Sequence, residues 1–142
     1  MQKAEDFLKD YRRVRDDVIR PTLEAVGQQL REQGHNYEII DGPMPVRNSL
    51  LQPRSTENIS LRVFVKEADW NRIGMFDLLN KVPFVSFGAL LLERRVEAFI
   101  CPESEGRYGQ WRPRAIDTFT LEQVTKDVIE RQVAQFFREM PL

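Results

Sequence analysis

Cysteine and histidine are nearly absent from this sequence: Cys101 and His35 are the single residues of their kinds. A lone thiol excludes an intramolecular disulfide, and one thiol with one imidazole cannot supply the several soft ligands of a zinc site. Thiol catalysis would have to use Cys101 with His35. Each has a plainer explanation, since the thiol ends an apolar strand and the ring follows a helix-terminating glycine. The seven glycines are dispersed and form neither a P-loop nor a dinucleotide fingerprint, and no Gly-x-Ser-x-Gly elbow occurs. Glu103 and Glu105 flank a turn without a calcium-loop pattern and read as solvated. No metal or cofactor is expected.

Long hydrophobic runs are also missing. The longest, Pro83 to Leu92, is about half of what a bilayer span needs, and the opening MQKAEDFLKDYRR has no apolar core of a signal peptide. Neither charge sign dominates: 21 Lys and Arg stand against 22 Asp and Glu, leaving a net charge of -1 and no global field toward nucleic acid or an anionic membrane. With one thiol and no leader pattern, a cytoplasmic address and no membrane association are expected. The Asn58-Ile59-Ser60 triplet matches a glycosylation site but reads as chance on the same ground.

What is present is enough for one domain of 142 residues, with 42% hydrophobic residues and nine Phe for its core. Residues 3–33 carry Phe7, Leu8, Tyr11, Val14, Val18, Ile19, Leu23, Val26 and Leu30 at helical spacings. Gly34 ends this helix as a residue free to turn left-handed. Pro21 lies inside the pattern and lacks an amide proton, so a kink is expected there. Straight, such a helix would be roughly 45 Å long, against a radius of gyration of about 14 Å for a domain of this size. A straight helix would therefore overhang the body.

Residues 37–112 read as mainly β. Tyr37 to Asp41 is a short strand, and Gly42 to Glu57, with Pro43, Pro45 and Pro53, is a long loop of the kind that can act as a lid. In Asn58 to Lys66, Ile59, Leu61, Val63 and Val65 alternate with Ser60, Arg62, Phe64 and Lys66, which predicts one core face and one mostly wet face. Residues 68–80 suit a short helix. Phe84 to Leu92 is apolar almost throughout and predicts a central strand covered on both faces. A turn at Glu93 to Arg95 leads into Val96 to Cys101, and Arg107 to Arg112 predicts an edge strand stopped by Pro113.

Residues 120–140 predict a closing helix, with Thr120 as N-cap, Gln123 completing a capping box and Phe119 stapling to Val124. The fold class is therefore α+β: an antiparallel sheet of about four to five strands bracketed by a long N-terminal helix and a C-terminal helix. In element order alone this resembles the small, mildly acidic, dimeric secretion chaperones.

The most suggestive stretch is GRYGQWRPR, where Arg107, Tyr108, Trp111, Arg112 and Arg114 mix guanidinium groups with aromatic faces that bases and phosphates favour. Arg94 and Arg95 at the neighbouring turn would enlarge the patch, although a charged edge strand that discourages aggregation accounts for the same residues. Three readings of function follow. The first is a non-catalytic protein–protein interaction module, homodimeric, using the long helix or an exposed sheet face. The second is a binder of nucleic acid or another anion through residues 107–114. The third is an enzyme with an acid/base site under the 42–57 loop.

Overall fold

The computed structural model describes residues 3–42, 57–64, 82–102 and 114–140. The N-terminal helix comes in three consecutive pieces: α1 (Ala4–Val14), a π turn (Arg15–Ile19) and α2 (Arg20–Glu32). Pro21 explains the middle piece. It removes one amide donor and crowds the carbonyl four residues back, and the chain answers by widening one turn, so that the Arg20 N–H bonds the Arg15 carbonyl, five residues behind. Thr22 Oγ1 adds a bond to the Val18 carbonyl at 2.7 Å.

The wide turn also keeps the apolar stripe on one face. In an unbroken α-helix, the eight steps from Tyr11 to Ile19 would rotate Ile19 by about 80° away from Tyr11. One inserted residue brings that offset to about 20°. Phe7, Tyr11, Ile19, Leu23 and Leu30 are accordingly all buried in a single core. The packed stripe of this interrupted helix begins at Phe7 and runs to Leu30. It ends as the glycine predicts, with Gly34 at φ 93 and the His35 N–H on the Leu30 carbonyl at 3.0 Å.

Among the described residues five antiparallel strands follow in sequential order: β1 (Asn36–Gly42), β2 (Asn58–Phe64), β3 (Phe84–Leu90), β4 (Arg95–Cys101) and β5 (Arg114–Phe119). β3 is the central strand and is buried at every position, as its unbroken apolar run requires. The β3–β4 turn is Leu91–Arg94, ending one residue before the expected Glu93 to Arg95, with Arg94 at φ 54 and Arg95 already in β4. The last strand is β5, after Pro113, where the sequence had predicted a strand before it; residues 107–112 lie outside the described residues. So do 43–56 of the proline-rich loop and the expected helix at 68–80.

The closing helix, α3 (Lys126–Glu139), starts later than the capping signature implied. Thr120 and Gln123 do pair, the Thr120 N–H reaching Gln123 Oε1 at 2.9 Å, but they close only a 3-10 turn, Leu121–Gln123. Val124 is then extended, and Thr125 caps α3 by accepting from the Val128 N–H at 3.3 Å. Both ends of the predicted staple, Phe119 and Val124, are buried in the core.

Both helices pack on one sheet face, onto Ile59, Leu61, Val85, Phe87, Ala98 and Ile100. Two contacts fix the N-terminal helix there. The Tyr11 hydroxyl donates to the Phe87 carbonyl of the central strand at 2.8 Å, with the ring fully buried. Tyr37 of β1 lies flat on α2: its hydroxyl donates to Glu24 Oε2 at 3.0 Å and accepts from Gln28 Nε2 at 3.1 Å. Arg31 sits over the ring, 4.6 Å from its centroid. Only a glycine leaves room, because a Cβ on Gly27 would stand 2.3 Å from the Tyr37 ring.

The opposite face corrects an expectation. Ser60 and Arg62 were placed on the mostly wet face, yet both are buried, as are Asn58 on the same strand and Ser86 and Glu97 on β3 and β4. Asn58 is therefore no glycosylation acceptor in the folded chain.

Two outcomes test this account. Gly27→Ala should destabilise by about 1–3 kcal/mol, read as a lower denaturant midpoint, although alanine has the better helix propensity. On a Tyr37→Ala background that cost should vanish. Burial holds the Tyr11 hydroxyl above the usual tyrosine range, so its contribution is complete below about pH 10, where an unfolded tyrosine ionises, and is lost as pH rises beyond it. Tyr11→Phe should cost roughly 1 kcal/mol at neutral pH and flatten the alkaline limb of the stability curve.

Candidate functional site at the helix seam

The seam between α2 and α3 opens into a cleft of about 490 Å³ beside the π turn. Its wall is built from Val18, Pro21, Ala25 and Val124, with Thr22 and Thr125 at the floor and rim, and it is flanked by Asp17 on one helix and Lys126 on the other. On the α2 side the wall beside the π turn is made of the short side chains of Pro21 and Ala25. A second cleft, about 260 Å³, lies further along the same seam between Val26, Gln29, Leu30, Gln33 and Phe137. The two helices therefore run in the same direction, with starts beside starts and ends beside ends.

The charges around the cleft are of opposite sign and unequal commitment. Lys126 Nζ lies 3.7 Å from Glu130 Oε1, an exposed contact one turn along its own helix. Asp17 has no ion-pair partner among the described residues. Its neighbours are tied elsewhere: Arg20 pairs with Asp41 and Asp16, and Arg12 with Glu57, which anchors the helix to the ends of β1 and β2.

The residues singled out from the sequence are dispersed. Arg94 lies in the β3–β4 turn, and the Arg95 guanidinium is held by Thr118, at 3.1 Å to Oγ1 and 3.2 Å to the carbonyl. Arg114 stands opposite Ile100, five residues along β4 from Arg95 and hence about 17 Å away, and pairs with Glu139. Arg107, Tyr108, Trp111 and Arg112 lie outside the described residues. Cys101 is buried on β4 while His35 precedes β1, three strands or about 14 Å across the sheet, so the structure does not bring the thiol and the imidazole together.

Among the described residues no three His, Cys, Asp or Glu side chains converge on a point a metal could occupy, and no helix is long and apolar enough to cross a membrane. The described carboxylates flanking the proline-rich segment are Asp41, paired with Arg20, and Glu57, paired with Arg12. The hydrogen bond from Arg12, with help from the Arg12 and Arg15 charges, holds Glu57 below the usual glutamate range, opposite to the shift a general acid needs. Comparison with protein-family models, curated proteins and solved structures gives no match.

The cleft residues were not singled out by sequence reasoning. Pro21 was the available signal, since a proline inside a helical pattern must disturb one turn. What the disturbance would face depended on Val124 to Lys126, more than a hundred positions away.

Because the Glu57 carboxyl is held low when folded, its contribution is present above the unfolded value, about pH 4.3, and is lost as pH falls through the lower folded value. Glu57→Gln should therefore make the acid limb of a stability-versus-pH curve shallower. An unchanged acid limb would show that the pair with Arg12 contributes nothing to folding.

Proposed function

We propose that the protein is a non-catalytic protein–protein interaction module that works as a homodimer, with the α2–α3 seam at the π turn as its contact surface. The observation that carries this reading is the apolar cleft flanked by unlike charges, Asp17 and Lys126. In a two-fold interface each residue meets its counterpart's opposite number in both directions. A cleft with one charge of each sign on its two sides is self-complementary: Asp17 of one copy faces Lys126 of the other, twice over. The exposed Pro21 and Ala25 supply apolar surface between these links. π turns are enriched at functional sites because they sacrifice regular backbone bonding for local shape.

A second copy is the occupant, in preference to an unrelated polyanion, because the arginines Arg95 and Arg114 are bonded to Thr118 and Glu139. A cytoplasmic setting is part of the proposal and rests on the single thiol.

The test is sedimentation equilibrium across a wide concentration range. The wild-type chain should show a reversible monomer–dimer equilibrium. Ala25→Arg, at an exposed position where the fold tolerates a long side chain, should raise the dimer Kd at least about tenfold, equivalent to 1.4 kcal/mol. Lys126→Glu should weaken the dimer, and adding Asp17→Lys to it should restore affinity by reversing both links. A chain that stays monomeric at every concentration, or a double variant no better than the single one, would remove this reading.

A further inference from the structure

The helix seam does not close behind the cleft at the π turn. On α2, Val18, Thr22, Val26, Gln29 and Gln33 follow the spacing that turns one side of a helix toward a neighbour. Of these only Thr22 is buried, while Gln29 and Gln33 are exposed. The two helices therefore stand apart at this end and leave the second cleft, about 260 Å³, between Val26 and Leu30 on α2 and the half-buried Phe137 on α3. The Phe137 ring is braced from behind, 5.3 Å from the ring of the fully buried Phe136. None of the described residues lining this cleft is charged, in a chain of which 30% is.

We propose, resting on the homodimer reading above, that this second cleft is the other half of the same interface. Phe137 of each copy is its anchor, seated against Val26, Gln29 and Gln33 of the other copy.

The two clefts open on one side of the helix pair. Phe137 follows Lys126 by eleven residues on α3, and Gln29 follows Val18 by eleven on α2. Eleven residues are three helical turns to within about 20°, and about 16 Å of length. A surface laid on the first cleft therefore lies over the second.

Area makes the extension necessary. The first cleft takes up Asp17 to Ala25, about 12 Å of a helix pair roughly 20 Å wide, hence about 250 Å² on each copy. A total near 500 Å² is the size of an adventitious packing contact, whereas a specific interface clears about 1,000 Å². Carrying the contact to Gln33 and Phe137 doubles its length and brings the total to about 1,000 Å².

Symmetry then places the ring. For Asp17 on α2 of one copy to face Lys126 on α3 of the other, the two-fold axis must run along the seam, so that α2 meets α3 level by level. Phe137 accordingly meets the stretch Val26 to Gln33, and the contact is made twice. An aromatic ring with amides at its rim and no charge beside it is the composition of an interface centre. The other end of the seam is unsuited to the role. There Asp10 of the helix and Glu122 of the 3-10 turn line a cleft with Arg94, and the same axis would set the two carboxylates of one copy toward those of the other.

The test is sedimentation equilibrium of the whole chain, with Ala25→Arg as the reference for the first cleft. Gln29→Arg, an exposed substitution that removes no packed group, should raise the dimer Kd at least about tenfold, and so should Phe137→Ala. Circular dichroism reports whether each variant is folded, and Gln29→Arg decides the matter if Phe137→Ala is not. A dimer that Ala25→Arg weakens and Gln29→Arg leaves unchanged would overturn this inference while the homodimer reading stands. A wild-type chain that is monomeric at every concentration would end both.

Discussion

The structure depends on one constraint: a helix containing a proline must still lay a continuous apolar stripe across a five-stranded sheet. Pro21 withholds an amide, and the backbone compensates with a single wide turn, Arg15–Ile19. That turn restores the rotation that puts Ile19 back in line with Tyr11. Without it, the stripe of one half would lie about 80° round the helix from that of the other. The helix meets the sheet at both its centre and its edge, through the Tyr11 bond to Phe87 on β3 and the stacking of Tyr37 on Gly27 from β1. A small sheet gains its order from being held at these two places, since the rest of the packing is aliphatic and less directional.

Polar surface divides between two roles on this scaffold. On the helix side, charges are spent on exposed or half-exposed pairs, Arg12 with Glu57 and Arg20 with Asp41, that close the ends of β1 and β2 against the helix. Such pairs add little stability individually, because water screens them, but they fix the direction in which the strands leave the sheet. On the other face, polar groups are buried instead: Asn58, Ser60, Arg62, Ser86 and Glu97. Burial raises the stakes of each unmade bond there.

The secondary elements were legible because their signals are local. The apolar spacing of residues 3–33, the alternation in β2 and the solid run of β3 all survive in the structure, as does the left-handed exit at Gly34. Boundaries set by competing local signals were less secure. Thr120 and Gln123 form the bond their spacing implies, yet the extended Val124 ends that turn and hands the cap to Thr125. The strand expected before Pro113 lies outside the described residues, and the described strand is Arg114–Phe119, which pairs with β4 through a bulge at Ala98 and Phe99.

By itself, then, the sequence determined the α+β class, the two bracketing helices and the central position of β3, since periodicity and hydrophobicity are properties of neighbouring residues. Tertiary structure alone decided which polar residues are wet. Alternation divides β2 into two faces, but whether Ser60 and Arg62 meet water depends on what covers them, and that is a matter of distant chain. The cleft beside Pro21 is of the same kind: one wall is written in residues 17–25 and the other in 124–126, and only folding sets them side by side.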